Sequence, residues 1–303
     1  MIKNVISQIV QGKNLQDILN KTLARIYSEG PVHITDMEIL SYFATYRKEL
    51  IDEHMNELLL YMGMYYKVSD VEPQTLKELV QTTYRDVIKA DLGECYTPVQ
   101  VNIIDSIKSN KCFSFSAPTS TGKSHVFRRL ILGSEKDIVI FVPSRALINE
   151  YYITLCKNIP DKSINILTFV DKLNTLKAKR SIFILTPERA SDLFSRSGEF
   201  DIEYFLFDEA QLGEEISIRG LLFDSVVRRV SKFYPNAKMG FAQPFVANPE
   251  AQFGKNFIPD DVSLGVSYRQ RNVGQIFYSY DKNENKFYHI GIDAKAVSYT
   301  HLR

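Results

Sequence analysis

The run Ala117-Pro118-Thr119-Ser120-Thr121-Gly122-Lys123-Ser124 decides how the rest of the chain is read. A glycine, a lysine and a hydroxyl residue in succession, after a loop of small residues, suit a phosphate-binding loop. Backbone N–H groups wrap a polyphosphate, the lysine reaches the outer phosphates and the hydroxyl holds Mg²⁺. The flanks supply the context this needs. Residues 112–116 (CFSFS) are a short apolar run suited to a buried strand, and 123–132 (KSHVFRRLIL) have helical spacing. A loop between a strand end and a helix N-terminus aims the helix dipole and its free N–H groups at one anion. Ala117 stands where glycine is common in such loops.

With 303 residues, 45% of them hydrophobic, the chain has room for two domains with packed cores. A net charge of +1 draws the whole molecule to neither nucleic acid nor membrane, so any polyanion site must be local. The basic clusters Arg128/Arg129, Lys177/Lys179/Arg180 and Arg228/Arg229/Lys232 read singly as solvated helix faces. Cys95, Cys112 and Cys156 lack paired spacing, which argues against a disulfide framework or a zinc site and suits a reduced, cytoplasmic protein. The N-terminus is interrupted by polar residues, unlike a signal peptide, and the apolar run 58–66 is too short to span a bilayer. A soluble protein with no membrane partner is expected.

Residues 1–92 read as an all-helical accessory domain. Ile2, Val5, Ile6, Ile9 and Val10 share one helical face, and Asn14 is placed to cap a second helix carrying Leu15, Ile18, Leu19, Leu23 and Ile26. Gly30-Pro31 stops that helix. Thr35-Asp36-Met37-Glu38 has the capping-box pattern and is expected to open a long helix reaching the apolar stretch 58–62. Pro73 and Gly93 bracket a further helix over 74–90.

From Tyr96 onward, short β-branched runs alternate with helical patterns. Strands are expected over 112–116, 137–142, 164–169, 181–186, 203–208 and 237–242, with helices most clearly over 144–156 and 214–234. Apolar strands separated by helices imply a mostly parallel sheet covered on both faces, with ligands beyond the strands' C-terminal ends. Suggestive residues cluster at that edge: the phosphate loop, Pro143-Ser144-Arg145, Thr186-Pro187-Glu188-Arg189 and Asp208-Glu209-Ala210-Gln211. A carboxylate at a strand tip can hold Mg²⁺, usually through water, and its neighbour can orient or deprotonate an attacking water. Asp208 and Glu209 are the expected partners of Lys123.

These stretches, with Tyr96-Thr97-Pro98-Val99-Gln100 and Pro143-Ser144-Arg145-Ala146-Leu147, resemble in order and spacing the motif set of superfamily two DExD/H-box (DEAD/DEAH-like) helicases. The resemblance covers about residues 94–255, and an alanine opening the phosphate loop is ordinary there. It implies an α/β fold, a RecA-like P-loop NTPase domain over 93–258 preceded by the helical domain. It also implies roles by position. Gln100 would meet the adenine edge; Thr119, Ser120, Thr121 and Gly122 would cradle the phosphates of ATP; Lys123 would neutralise the outer ones; Ser124 and Asp208 would hold Mg²⁺. Glu209 would be the catalytic base, and Gln211 would couple nucleotide state to the strand track. Pro143, Ser144, Arg145, Thr186, Pro187 and Arg189 would contact the backbone of single-stranded or partly duplex nucleic acid, DNA or RNA.

Two features depart from the family pattern. Its third motif, usually Ser-Ala-Thr, is replaced by Phe241-Ala242-Gln243-Pro244, in which Gln243 could take over the hydrogen bonding. The second RecA-like domain, which supplies arginine fingers, is expected to be represented only by a linker and first hairpin over 259–295, and 296–303 read as a non-native tail on a truncated product. The implied activity is that of an ATP-dependent helicase or translocase, nearly inactive in this fragment alone. An ATP-gated binding module without unwinding is the competing reading. A small-molecule P-loop kinase would leave Arg145, the Thr186 turn and residues 208–211 idle.

Overall fold

A computed structural model describes residues 2–70, 72–118, 121–170, 178–244, 246–269, 277–283, 286–290 and 296–298. The chain divides into two compact units, one formed by Met1–Pro98 with Arg269–Arg303, the other by Val99–Tyr268.

The first unit is helical through its N-terminal part: α1 (Ile2–Gln11), α2 (Leu15–Glu29), α3 (Ile34–Tyr46), α4 (Lys48–Glu53), α5 (Met55–Tyr61) and α6 (Leu76–Leu92). The expected apolar faces do close on one another, with Ile6, Ile9, Leu19, Leu23, Ile26 and Phe43 in one buried cluster. Three local expectations are corrected. Asn14 precedes α2 at φ 53, in the left-handed region, and its amide donates to Gln8 Oε1 at 3.3 Å instead of capping the helix. The box at 35–38 does not cap α3 either. The helix begins at Ile34, and Asp36 is buried against Arg25 at 2.5 Å. The long helix is interrupted at Arg47, whose guanidinium reaches the carbonyl of Val10 at 2.9 Å near the C-terminus of α1. That carbonyl is among those a helix end leaves without an internal partner. The working cap is at Thr75, whose hydroxyl accepts the N–H of Glu78 at 3.2 Å, while the Glu78 carboxylate accepts that of Gln74 at 2.7 Å. Gly93, at φ 80, closes α6.

In the second unit each apolar run becomes a strand: β1 (Cys112–Ser116), β2 (Asp137–Phe141), β3 (Ile164–Leu167), β4 (Arg180–Leu185), β5 (Ile202–Phe207) and β6 (Lys238–Gln243). The helices α7 (Pro98–Ser109), α8 (Lys123–Gly133), α9 (Arg145–Asn158), α10 (Ser191–Ser195), α11 (Ile218–Phe233) and α12 (Ala251–Lys255) alternate with them. A further strand, β7 (Ser263–Ser267), pairs with β1, so the sheet continues past the boundary expected at 258. The order is β3-β4-β2-β5-β6-β1-β7 and every described pairing is parallel.

Parallel pairing brings all the strand C-termini to one edge, and the registers align them closely. Ser116 lies opposite Gln243, Phe207 opposite both Phe241 and Phe141, and Phe141 opposite Leu185. The rings of Phe141, Phe207 and Phe241 stack across three adjacent strands at 5.2 and 4.6 Å between centroids. This fully buried ladder ends one residue before Asp208 and fixes the strand tips relative to one another.

Near the C-terminus, β8 (Phe277–Asp281) and β9 (Lys286–Ile290) form the expected antiparallel hairpin, though residues 284 and 285 of its turn lie outside the described residues. β10 (Ala296–Ser298), within the stretch expected to be a tail, pairs with β9.

Candidate nucleotide-binding site

The phosphate loop leaves β1 and enters α8 as the sequence implied. Thr119 and Ser120 lie outside the described residues. Gly122 sits at φ 77, and a Cβ there would come within 2.6 Å of Gln100 Nε2, so both backbone conformation and space require glycine. Gln100, expected at an adenine edge, braces the loop: its amide donates to the Thr121 carbonyl at 2.9 Å. The Thr121 hydroxyl is buried with no hydrogen-bond partner among the described residues.

Lys123 is only 6% exposed, and its ammonium donates to the Ala117 carbonyl at 3.1 Å. Burial lowers its pKa, opposed by the charges of Glu209 and Asp208. The lysine and the acidic pair therefore share one field.

Asp208 follows the tip of β5 and is 4% exposed. One carboxylate oxygen accepts the Glu209 N–H at 3.0 Å and the other the Tyr151 hydroxyl at 2.7 Å. Burial raises the Asp208 pKa; the Tyr151 hydrogen bond and the charge of Lys123 oppose it. The Ser124 side chain lies beside the Tyr151 hydroxyl and opposes the burial that raises its pKa, so Ser124, Tyr151 and Asp208 are neighbours. Glu209 turns sharply at φ 54, ψ 47, a left-handed conformation costing a non-glycine residue about 1–3 kcal/mol. Its carboxylate accepts the Gln211 amide at 2.6 Å.

The residue types fit a magnesium-bound polyphosphate. Ser124 and Asp208 offer hard oxygen donors, Thr121 has an unsatisfied buried hydroxyl, and Lys123 supplies a buried cation. Among the described residues no group of three or more His, Cys, Asp or Glu could hold a metal by itself.

The neighbouring rim is held by a residue the sequence reading missed. Arg219, in the first turn of α11, donates to the Pro143 carbonyl and pairs with Glu188 at 3.2 Å. Burial alone would raise the Glu188 pKa, but the Thr186 hydroxyl, a backbone N–H and Arg219 together leave it lowered. Arginine at a helix N-terminus opposes the macrodipole, a signal that it serves some other contact. Around this clamp, Arg145 is exposed, Pro143 is half-buried, and Thr186 and Pro187 are buried. The Ser144 hydroxyl caps α9 by accepting the Leu147 N–H at 3.3 Å. Arg189 donates to the Thr168 carbonyl at 2.8 Å. Gln243 spends its amide on the Ser114 hydroxyl at 2.9 Å, tying β6 to β1, while Gln252 of α12, also missed, donates to the Ala210 carbonyl at 3.2 Å.

A parallel sheet with the lysine loop after β1 and the acidic turn after β5 defines the RecA-like P-loop NTPase class. The crystal structure of the DUF1998 helicase MrfA bound to DNA and AMPPNP has the same fold, at a TM-score of 0.50 and 18% identity over 62% of this chain and 29% of that one. Residues 97–240 match the DEAD/DEAH box helicase family. Anti-bacteriophage protein B of Escherichia coli (strain K12) is 30% identical over 133 residues, which is 44% of this chain and 17% of that protein. A hypothetical ATP-dependent RNA helicase from Sulfolobus tokodaii aligns at a TM-score of 0.43 and 18% identity, over 61% of this chain and 57% of that one. The chain thus spans a minor part of the length of the E. coli relative and of MrfA. No described helix is long and apolar enough to cross a membrane.

Proposed function

We propose that this chain carries the ATP-binding lobe of a nucleic-acid motor, a helicase or translocase. The observation that supports this best is the Tyr151–Asp208 hydrogen bond beside Ser124, with Lys123 in the same field. Bound Mg·ATP would supply the free energy of phosphoryl transfer. Lys123 would turn from the Ala117 carbonyl to the outer phosphates, a short move because its ammonium already lies on the loop. Thr121 would gain a partner for its buried hydroxyl. Ser124 and Asp208 would hold the cation, and the strained turn at Glu209 would aim its carboxylate at a water. Gln211, bonded to Glu209, would pass the state of the site toward the rim.

Single-stranded nucleic acid, DNA or RNA, would lie along that rim. The exposed guanidinium of Arg145 and the loop ends at Pro143, Ser144, Thr186, Pro187 and Arg189 would meet sugar and phosphate. Such contacts position a strand without reading its bases. The protein's place of work would be the cytoplasm, in keeping with the free cysteines Cys95, Cys112 and Cys156.

Two titrations on the 303-residue chain test this. A fluorescent ATP analogue should bind in the presence of Mg²⁺, and the binding should weaken in EDTA. Oligo(dT) and oligo(rU) should bind with an affinity that falls with salt, and Arg145→Ala should reduce that salt slope by about one. Absence of nucleotide binding, or an unchanged salt slope, would remove the respective half of the proposal. The name of the E. coli relative extends the reading to defence. Expression of the full-length protein should then reduce plaque formation by phage, and Lys123→Ala should abolish the protection.

A further inference from the structure

The Tyr151 hydroxyl carries an inference that rests on the nucleotide site above and goes beyond it. Tyr151 belongs to the inner stripe of α9 with Ile148 and Leu155, all buried and spaced three and four residues apart. A residue that only filled this stripe would need a ring and no hydroxyl. Instead the hydroxyl donates to an Asp208 carboxylate oxygen at 2.7 Å, with the Ser124 side chain beside it. It thereby ties α9 to the acidic turn after β5, next to the first turn of α8, whose strand β1 is separated from β5 by β6. The other Asp208 oxygen is fixed by the Glu209 N–H at 3.0 Å, so the carboxylate is held from both sides. α9 is well placed for this because it starts directly after β2, the neighbour of β5.

We infer that Tyr151 is a positioning residue for the magnesium side of the site, presetting the orientation of the Asp208 carboxylate beside Ser124 before the nucleotide arrives. The general logic is that of groups behind metal ligands, which orient them and whose loss typically lowers metal affinity 10- to 100-fold. Lys123 and the loop backbone bind phosphate independently of this bridge, so the effect should be confined to the metal-dependent part of binding.

The test is equilibrium titration of a fluorescent ATP analogue against the wild-type chain and Tyr151→Phe, each with saturating Mg²⁺ and with EDTA. The inference expects Tyr151→Phe to lose about 10-fold in affinity with Mg²⁺, to match wild type in EDTA, and to need about 10-fold more Mg²⁺ at the midpoint. Equal losses in both conditions would assign Tyr151 to packing alone. An unchanged or lowered Mg²⁺ midpoint would overturn the inference. Ring-fluorinated tyrosine at position 151 keeps the hydroxyl in place and donates more strongly, and it replaces Tyr151→Phe as the deciding variant should that one fail to fold; it should hold the wild-type Mg²⁺ midpoint or lower it, and a raised midpoint would count against the bridge. If the wild-type chain binds no nucleotide in either condition, the parent reading falls and this inference with it, a result distinct from all of these.

Discussion

In the helical unit the buried carboxylate of Asp36 meets the Arg25 guanidinium at 2.5 Å, and the buried Thr22 hydroxyl turns back to the Ile18 carbonyl at 2.9 Å. In the sheet unit Lys123, Asp208, Thr121 and Thr186 are just as buried, but they gather at one edge. There, among the described residues, the Lys123 ammonium bonds only a loop carbonyl, at 3.1 Å, and the Thr121 hydroxyl has no partner. Buried polar groups normally find partners, because leaving one unpaired costs about 1–3 kcal/mol. The Asp36 oxygens also lack a well-aligned hydrogen bond, yet a charged partner sits against them, which a structural core tolerates. Polar groups that converge while still under-satisfied mark a place where something else binds.

Substitutions sharpen this contrast, and the largest effect should come from the scaffold beneath the site. Phe207→Ala removes the central ring of the stacked ladder and should destabilise the sheet unit by about 3–5 kcal/mol in chemical denaturation. A loss below about 1 kcal/mol would show that the ladder does not set the strand tips. Next come the charged groups. Glu209→Gln should lower turnover about 10²–10⁴-fold while ATP affinity stays close to wild type. Lys123→Ala should lower that affinity by about 10- to 100-fold, as the loss of a charge-assisted bond worth about 1.5–3 kcal/mol implies. Equal effects of both substitutions on binding would make Glu209 structural.

Asp208→Asn tests whether the site is held at the expense of stability. Folding raises the Asp208 pKa, chiefly by burial, so the stability linked to its protonated form is complete below the unfolded-state pKa and lost as pH rises through the folded one. At neutral pH Asp208→Asn should therefore melt at or above the wild-type temperature, with the difference narrowing as pH falls, while Mg²⁺-dependent nucleotide binding is lost. A variant that melts well below wild type at neutral pH would mean that the carboxylate stabilises the fold.

The smallest change belongs to the helical unit. Thr75→Ala removes the cap of α6 and should cost about 1 kcal/mol there while leaving nucleotide affinity unchanged. A shift in that affinity would show that the helical unit does more than support itself.

Much of the sheet unit was legible in the sequence because a parallel sheet buries both faces and writes its strands as continuous apolar runs. β1 falls on residues 112–116 as read, and β5 begins one residue before the run identified for it. Apart from Gln100 on α7, the motif residues could be found because they follow strand tips closely, where local order and fold coincide. What could not be read depends on partners distant in sequence. Arg47 interrupts a helix by reaching Val10, and Asp36 leaves its apparent capping role for Arg25. β7 is too weakly apolar to announce itself, with Ser263 and Ser267 at its ends, and becomes a strand by pairing with β1. Within the site, Tyr151 looked like one more apolar position on α9, because a sequence does not show what a hydroxyl faces. Arg219 and Gln252 likewise acquire meaning only through Pro143, Glu188 and Ala210.

The central claim is that Lys123 and Asp208 serve one bound magnesium-triphosphate. A crystal structure with a non-hydrolysable ATP analogue and Mn²⁺ in place of Mg²⁺ tests it most directly, because the anomalous signal locates the ion. The account predicts the manganese peak next to the Ser124 hydroxyl on the Asp208 side, with the outer phosphates on the Lys123 ammonium. A nucleotide bound away from the 117–124 loop, or an ion distant from Asp208, would contradict it.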